Sequence, residues 1–109
     1  MTRTVDLVVS GDDRTAFTTA LDAVRRGRLV LVVLRSGDAH AGQRFRTRIC
    51  QAANAGASRL TVMTHSEVVC VDGVDGVEAV VIRHSRTGQL SAVNASAFLS
   101  CDGSETIPI

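Results

Sequence analysis

The stretch that decides the fold runs from Val5 to Gly37, VDLVVSGDDRTAFTTALDAVRRGRLVLVVLRSG. Its opening residues, Val5 to Val9, form a short β-branched run whose apolar character suits a strand covered on both faces, as in a parallel sheet. After Gly11 the period changes. Ala16, Phe17, Ala20, Leu21 and Val24 fall on one face at helical spacing, while Arg14, Thr18, Asp22 and Arg25 fall mostly elsewhere. The spacing predicts a helix from about Ala16 to Arg26, closed by Gly27 in a left-handed conformation. The run RLVLVVL at 28–34 is then a second strand, and the short connection makes the two strands parallel neighbours through a right-handed crossover.

Outward from this unit, RSGDAHAG at 35–42 reads as a loop, and Phe45, Ile49, Ala52 and Ala53 mark a second amphipathic helix from Gln43 to Ala55, stopped at Gly56. RLTVMT at 59–64 supplies a third strand. The second half has no helical period. EVVCV, GVEAVVIRH and QLSAV are strand-like runs separated by DGVDG and SRTG, whose glycines and aspartates suit hairpin turns. They predict an antiparallel three-stranded meander between Glu67 and Asn94, after which SAFLSC at 96–101 returns to the parallel sheet. The expectation is α/β, one domain over 1–109, with a polar tail at 102–109.

Composition limits the function. With 45% apolar and 21% charged residues the chain is globular rather than disordered. Twelve basic and 11 acidic side chains leave a net charge of +1, and there is no Trp or Tyr, so neither an overall field nor stacking platforms point to nucleic acid. No segment approaches the roughly 20 apolar residues of a membrane span or reads as a signal peptide, so the cytoplasm is expected. Cys50, Cys70 and Cys101 form no CxxC and read as small buried hydrophobes. His40, His65 and His84 have no partners at ligand spacing, so no metal site is expected. His65, Ser66 and Glu67 lie just past a parallel strand's C-terminal end, where α/β sheets bind ligands, and read as an ordinary strand exit. No serine sits in a G-x-S-x-G elbow, and no catalytic residue is assigned.

The order strand, glycine turn, helix, strand, helix, strand, meander, strand resembles the NAD(P)H-binding domain of the FAD-dependent pyridine nucleotide-disulfide oxidoreductases, most closely the thioredoxin reductase group. VDLVVSGDDRTAFTTALDAVRRGRLVLVVLR is similar to that domain's first βαβ unit, and LTVMTHSEVVCVDGVDGVEAVVIRHSRTGQLSAVNASAFLSC to its third strand, meander and closing strand. The resemblance covers Val5 to Cys101 and implies a Rossmann-like three-layer fold, a parallel sheet with helices and the β-meander. In that family the domain is inserted into an FAD-binding domain, so this chain is expected to be an isolated module whose flavin comes through a flavoprotein partner. Without a CxxC it is not expected to be catalytic alone.

The family's turn runs G-x-G-x-x-A: the first glycine makes the turn, the second admits the pyrophosphate to the helix N-terminus, and the third small residue packs helix on strand. The aligned residues are Gly11, Asp13 and Ala16, and the resemblance assigns Gly11, Asp12, Asp13, Arg14 and Ala16 to the cofactor. At about 4 Å and an effective dielectric near 20, a carboxylate repels a phosphate charge by roughly 4 kcal/mol, about three decades in affinity. Alternatively, Asp12 or Asp13 caps the helix through its free N–H groups.

After the second strand, a NAD site presents an acid to the ribose, whereas this chain has Arg35, which suits the 2′-phosphate of NADP. The family's H-R-R-x-x-F-R stretch resembles LRSGDAHAGQRFR if the loop has lengthened, which would bring Arg35, Arg44 and Arg46 to that phosphate. Alternatively RFRTR is a solvated helix face. Two functions remain open: an NADP-binding module, its binding weak or lost, acting with a flavoprotein; or a non-catalytic assembly module that kept the fold. A surface that the parent architecture covers is expected to make the chain a homodimer or a heteromeric partner.

Overall fold

The computed structural model describes residues 3–11, 14–35, 39–53, 60–73 and 76–100. Strand β1 (Arg3–Ser10), helix α1 (Arg14–Arg25), strand β2 (Val30–Val33), helix α2 (Ala39–Ala53) and strand β3 (Leu60–Met63) follow in order. Strands β4 (Ser66–Asp72), β5 (Ala79–His84) and β6 (Leu90–Ser100) complete the chain. The sheet has six strands in the order β3-β2-β1-β6-β5-β4. β1 pairs in parallel with β2 and β6, β2 in parallel with β3, and β4-β5-β6 is antiparallel.

Why RLVLVVL reads as apolar throughout is visible in its surroundings. Val30 and Val32 pack with Val9 and Leu60 against Ala16, Ala20, Ala23 and Val24 of α1 and Phe45 and Ile49 of α2. The alternate residues Leu31 and Val33, with Val5 and Val8, pack against Val80, Ile82, Val93 and Ala95 of the meander. Both faces of the parallel strands are thus covered, one by helices and the other by antiparallel strands, which is the three-layer α/β arrangement expected. Ile49, Leu31 and Ile82 are essentially inaccessible, and truncating such a residue to alanine costs about 2–5 kcal/mol.

Helix α1 begins at Arg14, two residues before the expected start, and its end is closed by the amides of Gly27 and Arg28 donating to the carbonyls of Val24 and Ala23, both at 3.0 Å. This is a Schellman turn with Gly27 at φ 79°. Phe17 meets Phe45 edge to face at 5.9 Å between centroids, and the Arg48 guanidinium lies 4.9 Å from the Phe17 ring, so aromatic contact joins α1 to α2.

Three sequence expectations are corrected. Helix α2 starts at Ala39, so Ala39 to Gly42 are helical rather than loop. Gly42 signalled a break, but a Cβ there would lie 2.7 Å from Thr64 Cγ2; the glycine permits close approach of α2 to the end of β3. QLSAV and SAFLSC are not two strands but the single 11-residue β6. Its Val93 pairs with Val80 on one side and Arg3 on the other, and Asn94 and Ser96 are the exposed positions of an alternating strand rather than a turn. Cys70 is exposed, not buried: β4 is the edge strand and its register shifts between Val68 and Cys70, while Cys50 is half-buried. Gly56 and Cys101 lie outside the described residues.

Candidate functional site at the C-terminal edge of the parallel strands

The parallel strands end together at Ser10, Val33, Met63 and Ser100. The connection after β1 leads to one neighbour, β2, while the other neighbour, β6, comes from the far end of the chain. At such a switch point the segments leaving the strands diverge and open a crevice. Ser10 and Ser100 are register partners where β1 and β6 end.

Gly11 leaves β1 at φ 125°, buried, with its amide donating to the Val33 carbonyl at 3.0 Å. That φ is a glycine conformation, and it turns the chain from β1 into α1 within a few residues. Arg14 opens α1 and is exposed. Ala16 has no accessible surface and packs among Val9, Val30 and Val32, so any larger side chain there would push α1 off the sheet. Gly11 and Ala16 thus stand just past the end of β1 and in the first turn of α1. Asp12 and Asp13 lie outside the described residues.

Arg35 follows β2 at the same edge and is exposed. Arg44 is exposed on α2, where it lines a cavity of about 390 Å³ with Gln43, Thr47 and Arg48. Arg46 is half-buried, and its Nε donates to the Leu60 carbonyl at 3.0 Å, at the N-terminal end of β3. It also lines a second cavity, of about 260 Å³, with Gly42, Gln43, Val62 and Thr64. The sequence thus gathered Gly11, Arg14 and Arg35 at one edge, while Arg44 and Arg46 stand on the helix beside it.

Sequence reasoning missed the contribution of the meander to this edge. The Ser66 amide donates to the Leu34 carbonyl at 3.0 Å, and the Ser85 amide to the His65 carbonyl at 2.7 Å, which draws the β5–β6 turn over the end of β2. His65 adopts φ 51°, and its Nε2 lies 3.3 Å from Arg86 Nη2. No spacing rule links His65 to Arg86, so only the tertiary hydrogen bonds reveal the pair. Elsewhere, Cys70 Sγ donates to Asp72 Oδ1 at 3.4 Å, and that acceptor raises the thiol above its ordinary pKa. The neutral thiol is therefore favoured, the opposite of an activated nucleophile.

The Streptococcus pyogenes thioredoxin reductase matches 94% of this chain at 25% identity and a TM-score of 0.68. The fold is that of one domain of the thioredoxin-reductase-like oxidoreductases. A ferredoxin–NADP reductase of Frankia alni is 32% identical over 98 residues, 90% of this chain. The fold also extends to a myxobacterial FAD-dependent halogenase, CndH, at 15% identity and a TM-score of 0.71 over 95% of this chain. No family model matches the chain. The chain spans 29% of the Frankia protein and 32% of the streptococcal one. Among the described residues no helix is long and apolar enough to cross a membrane.

In this thioredoxin-reductase-like domain the turn at Gly11 and the close packing of Ala16 bring the N-terminus of α1 to the C-terminal edge of the sheet, where exposed Arg35 follows β2. The carboxylate of Asp13, second in the glycine-turn pattern, carries the same sign of charge as a pyrophosphate.

Proposed function

We propose that this chain is a nicotinamide-nucleotide-binding-like module related to FAD-dependent oxidoreductases, working in the cytoplasm as a homodimer or beside a flavoprotein partner. The observation that carries the reading is Gly11 at φ 125° between β1 and α1, at the C-terminal edge where β1 lies between β2 and β6. Gly11, Arg14 and the amides at the start of α1 hold the pyrophosphate, Ala16 keeps that helix end against the sheet, and Arg35, with Arg44 and Arg46 on α2, attracts the 2′-phosphate. NADPH held there would supply a hydride for a flavin carried by the partner. This chain's residues bind and orient; none is assigned to the chemistry.

Asp13 favours a second reading, in which the domain keeps the architecture, holds no cofactor and serves assembly. Calorimetry of the wild type and Asp13→Gly with NADPH and NADH at one salt concentration separates the two. The module reading expects weak binding by the wild type, and tighter, NADPH-selective binding by Asp13→Gly. Micromolar NADPH binding by the wild type would show Asp13 turned away to cap α1. Absence of binding by both would leave the assembly reading.

A further inference from the structure

His65, just past the end of β3, meets Arg86 in the β5–β6 turn, and His84 ends β5 where that turn begins. His65 holds a left-handed backbone conformation that no glycine relieves, at φ 51°. Histidine tolerates that region better than most residues, yet strain of this kind persists only where the surroundings enforce it, and it concentrates at ligand sites. The enforcing contacts are on either side: Ser66 N to the Leu34 carbonyl, and Ser85 N to the His65 carbonyl. Between them the ring is set with Nε2 at 3.3 Å from Arg86 Nη2.

Arg86 can only donate, so His65 Nε2 accepts this hydrogen bond and the guanidinium charge is left without a counter-charge from its partner. Arg86, exposed, has no ion pair with a carboxylate among the described residues, and the nearby Glu67 is already paired with Arg83. His84 adds an independent sign. It stands opposite Ser66 in the β4–β5 ladder, and its Nδ1 is buried without a hydrogen-bond partner, while the Ser66 hydroxyl donates instead to the Thr64 carbonyl at 2.9 Å. Exposed Arg35 follows Leu34, whose carbonyl accepts from Ser66 N, so its backbone leaves β2 beside this strand exit.

We propose that His65 and Arg86, with Arg35 and His84 beside them, form an anion site for a phosphate monoester dianion at the C-terminal edge of the sheet. A planar guanidinium offers two parallel donors to phosphate oxygens, and the His65 ring, accepting from Arg86 Nη2 at Nε2, fixes the direction in which that guanidinium is presented. The site is contributed by the strand exit and the meander turn. Inorganic phosphate and the 2′-phosphate of a nucleotide share the required chemistry; the assignment to the nucleotide rests on the module reading.

The test combines two measurements on the full chain. Histidine ring signals are followed by NMR as inorganic phosphate is added, and calorimetry compares adenosine 2′,5′-bisphosphate with 5′-AMP in the wild type, Arg86→Gln and His65→Asn. The expected result is that phosphate moves the His65 and His84 rings, that the bisphosphate binds at least about tenfold tighter than 5′-AMP, and that Arg86→Gln removes most of that preference while leaving 5′-AMP unchanged. His65→Asn keeps the backbone conformation and weakens the preference less. Rings that do not respond to phosphate would overturn the anion site. A preference that survives Arg86→Gln would overturn its assignment to the nucleotide and leave the module reading standing. Responsive rings with neither nucleotide bound would uphold the anion site and sink the module reading.

Discussion

Replacing Gly11 with alanine tests whether the turn between β1 and α1 is a fixed glycine conformation. At φ 125° an L side chain is strained, and the residue cannot relax freely because it is buried and its amide is tied to the Val33 carbonyl. Backbone strain of this kind costs about 1–3 kcal/mol. For 109 residues the unfolding entropy is about 0.23 kcal/mol per kelvin, so the melting temperature should fall by roughly 4–13 °C. Thermal denaturation followed by far-UV circular dichroism measures it, with Arg14→Ala as the control. Arg14 is exposed at the start of α1, and its truncation should change stability by less than about 0.5 kcal/mol. A Gly11→Ala shift under about 2 °C, equivalent to roughly 0.5 kcal/mol, would refute the argument, because the turn would then accommodate an ordinary residue.

Other perturbations follow from the same packing and electrostatics. Ala16→Leu should destabilise the domain by about 1–3 kcal/mol, seen as a lower urea midpoint with an unchanged slope, because Ala16 has no accessible surface and α1 must retreat to admit the larger group. Asp72→Asn should bring the Cys70 pKa down towards its ordinary value, so that alkylation of this thiol at pH values below the wild-type pKa becomes faster; an equal or slower rate would show that the Asp72 carboxylate does not hold the proton. A double-mutant cycle on Glu67 and Arg83 should return a coupling of at most about 1 kcal/mol that fades with salt, since both partners are partly exposed.

The parallel unit was legible because its signals are local. Val30 to Val33 are apolar at every position because helices cover one face and the meander the other, and Gly11 and Ala16 sit at fixed distances along a turn and a helix. What escaped the sequence depends on contacts between distant residues. The start of α2 was read as part of the 35–42 loop, although Gly42 packs closely against Thr64, and the single strand β6 was read as the two runs QLSAV and SAFLSC. The exposure of Cys70 follows from the place of β4 at the sheet edge, which only strand order reveals. The pairing of His65 with Arg86 follows from the hydrogen bond between Ser85 and His65.

Backbone amide NMR of the wild-type chain titrated with NADPH to millimolar concentration addresses the location of the nucleotide most directly, because chemical-shift mapping detects weak binding that calorimetry would miss. Saturating shifts should cluster at Gly11, Arg14 and Arg35, where β1 and β2 end and α1 begins, and leave Val68 to Val71 of β4 unmoved. Shifts confined to β4, or no shifts at all, would contradict a nucleotide site at the C-terminal edge of the parallel strands.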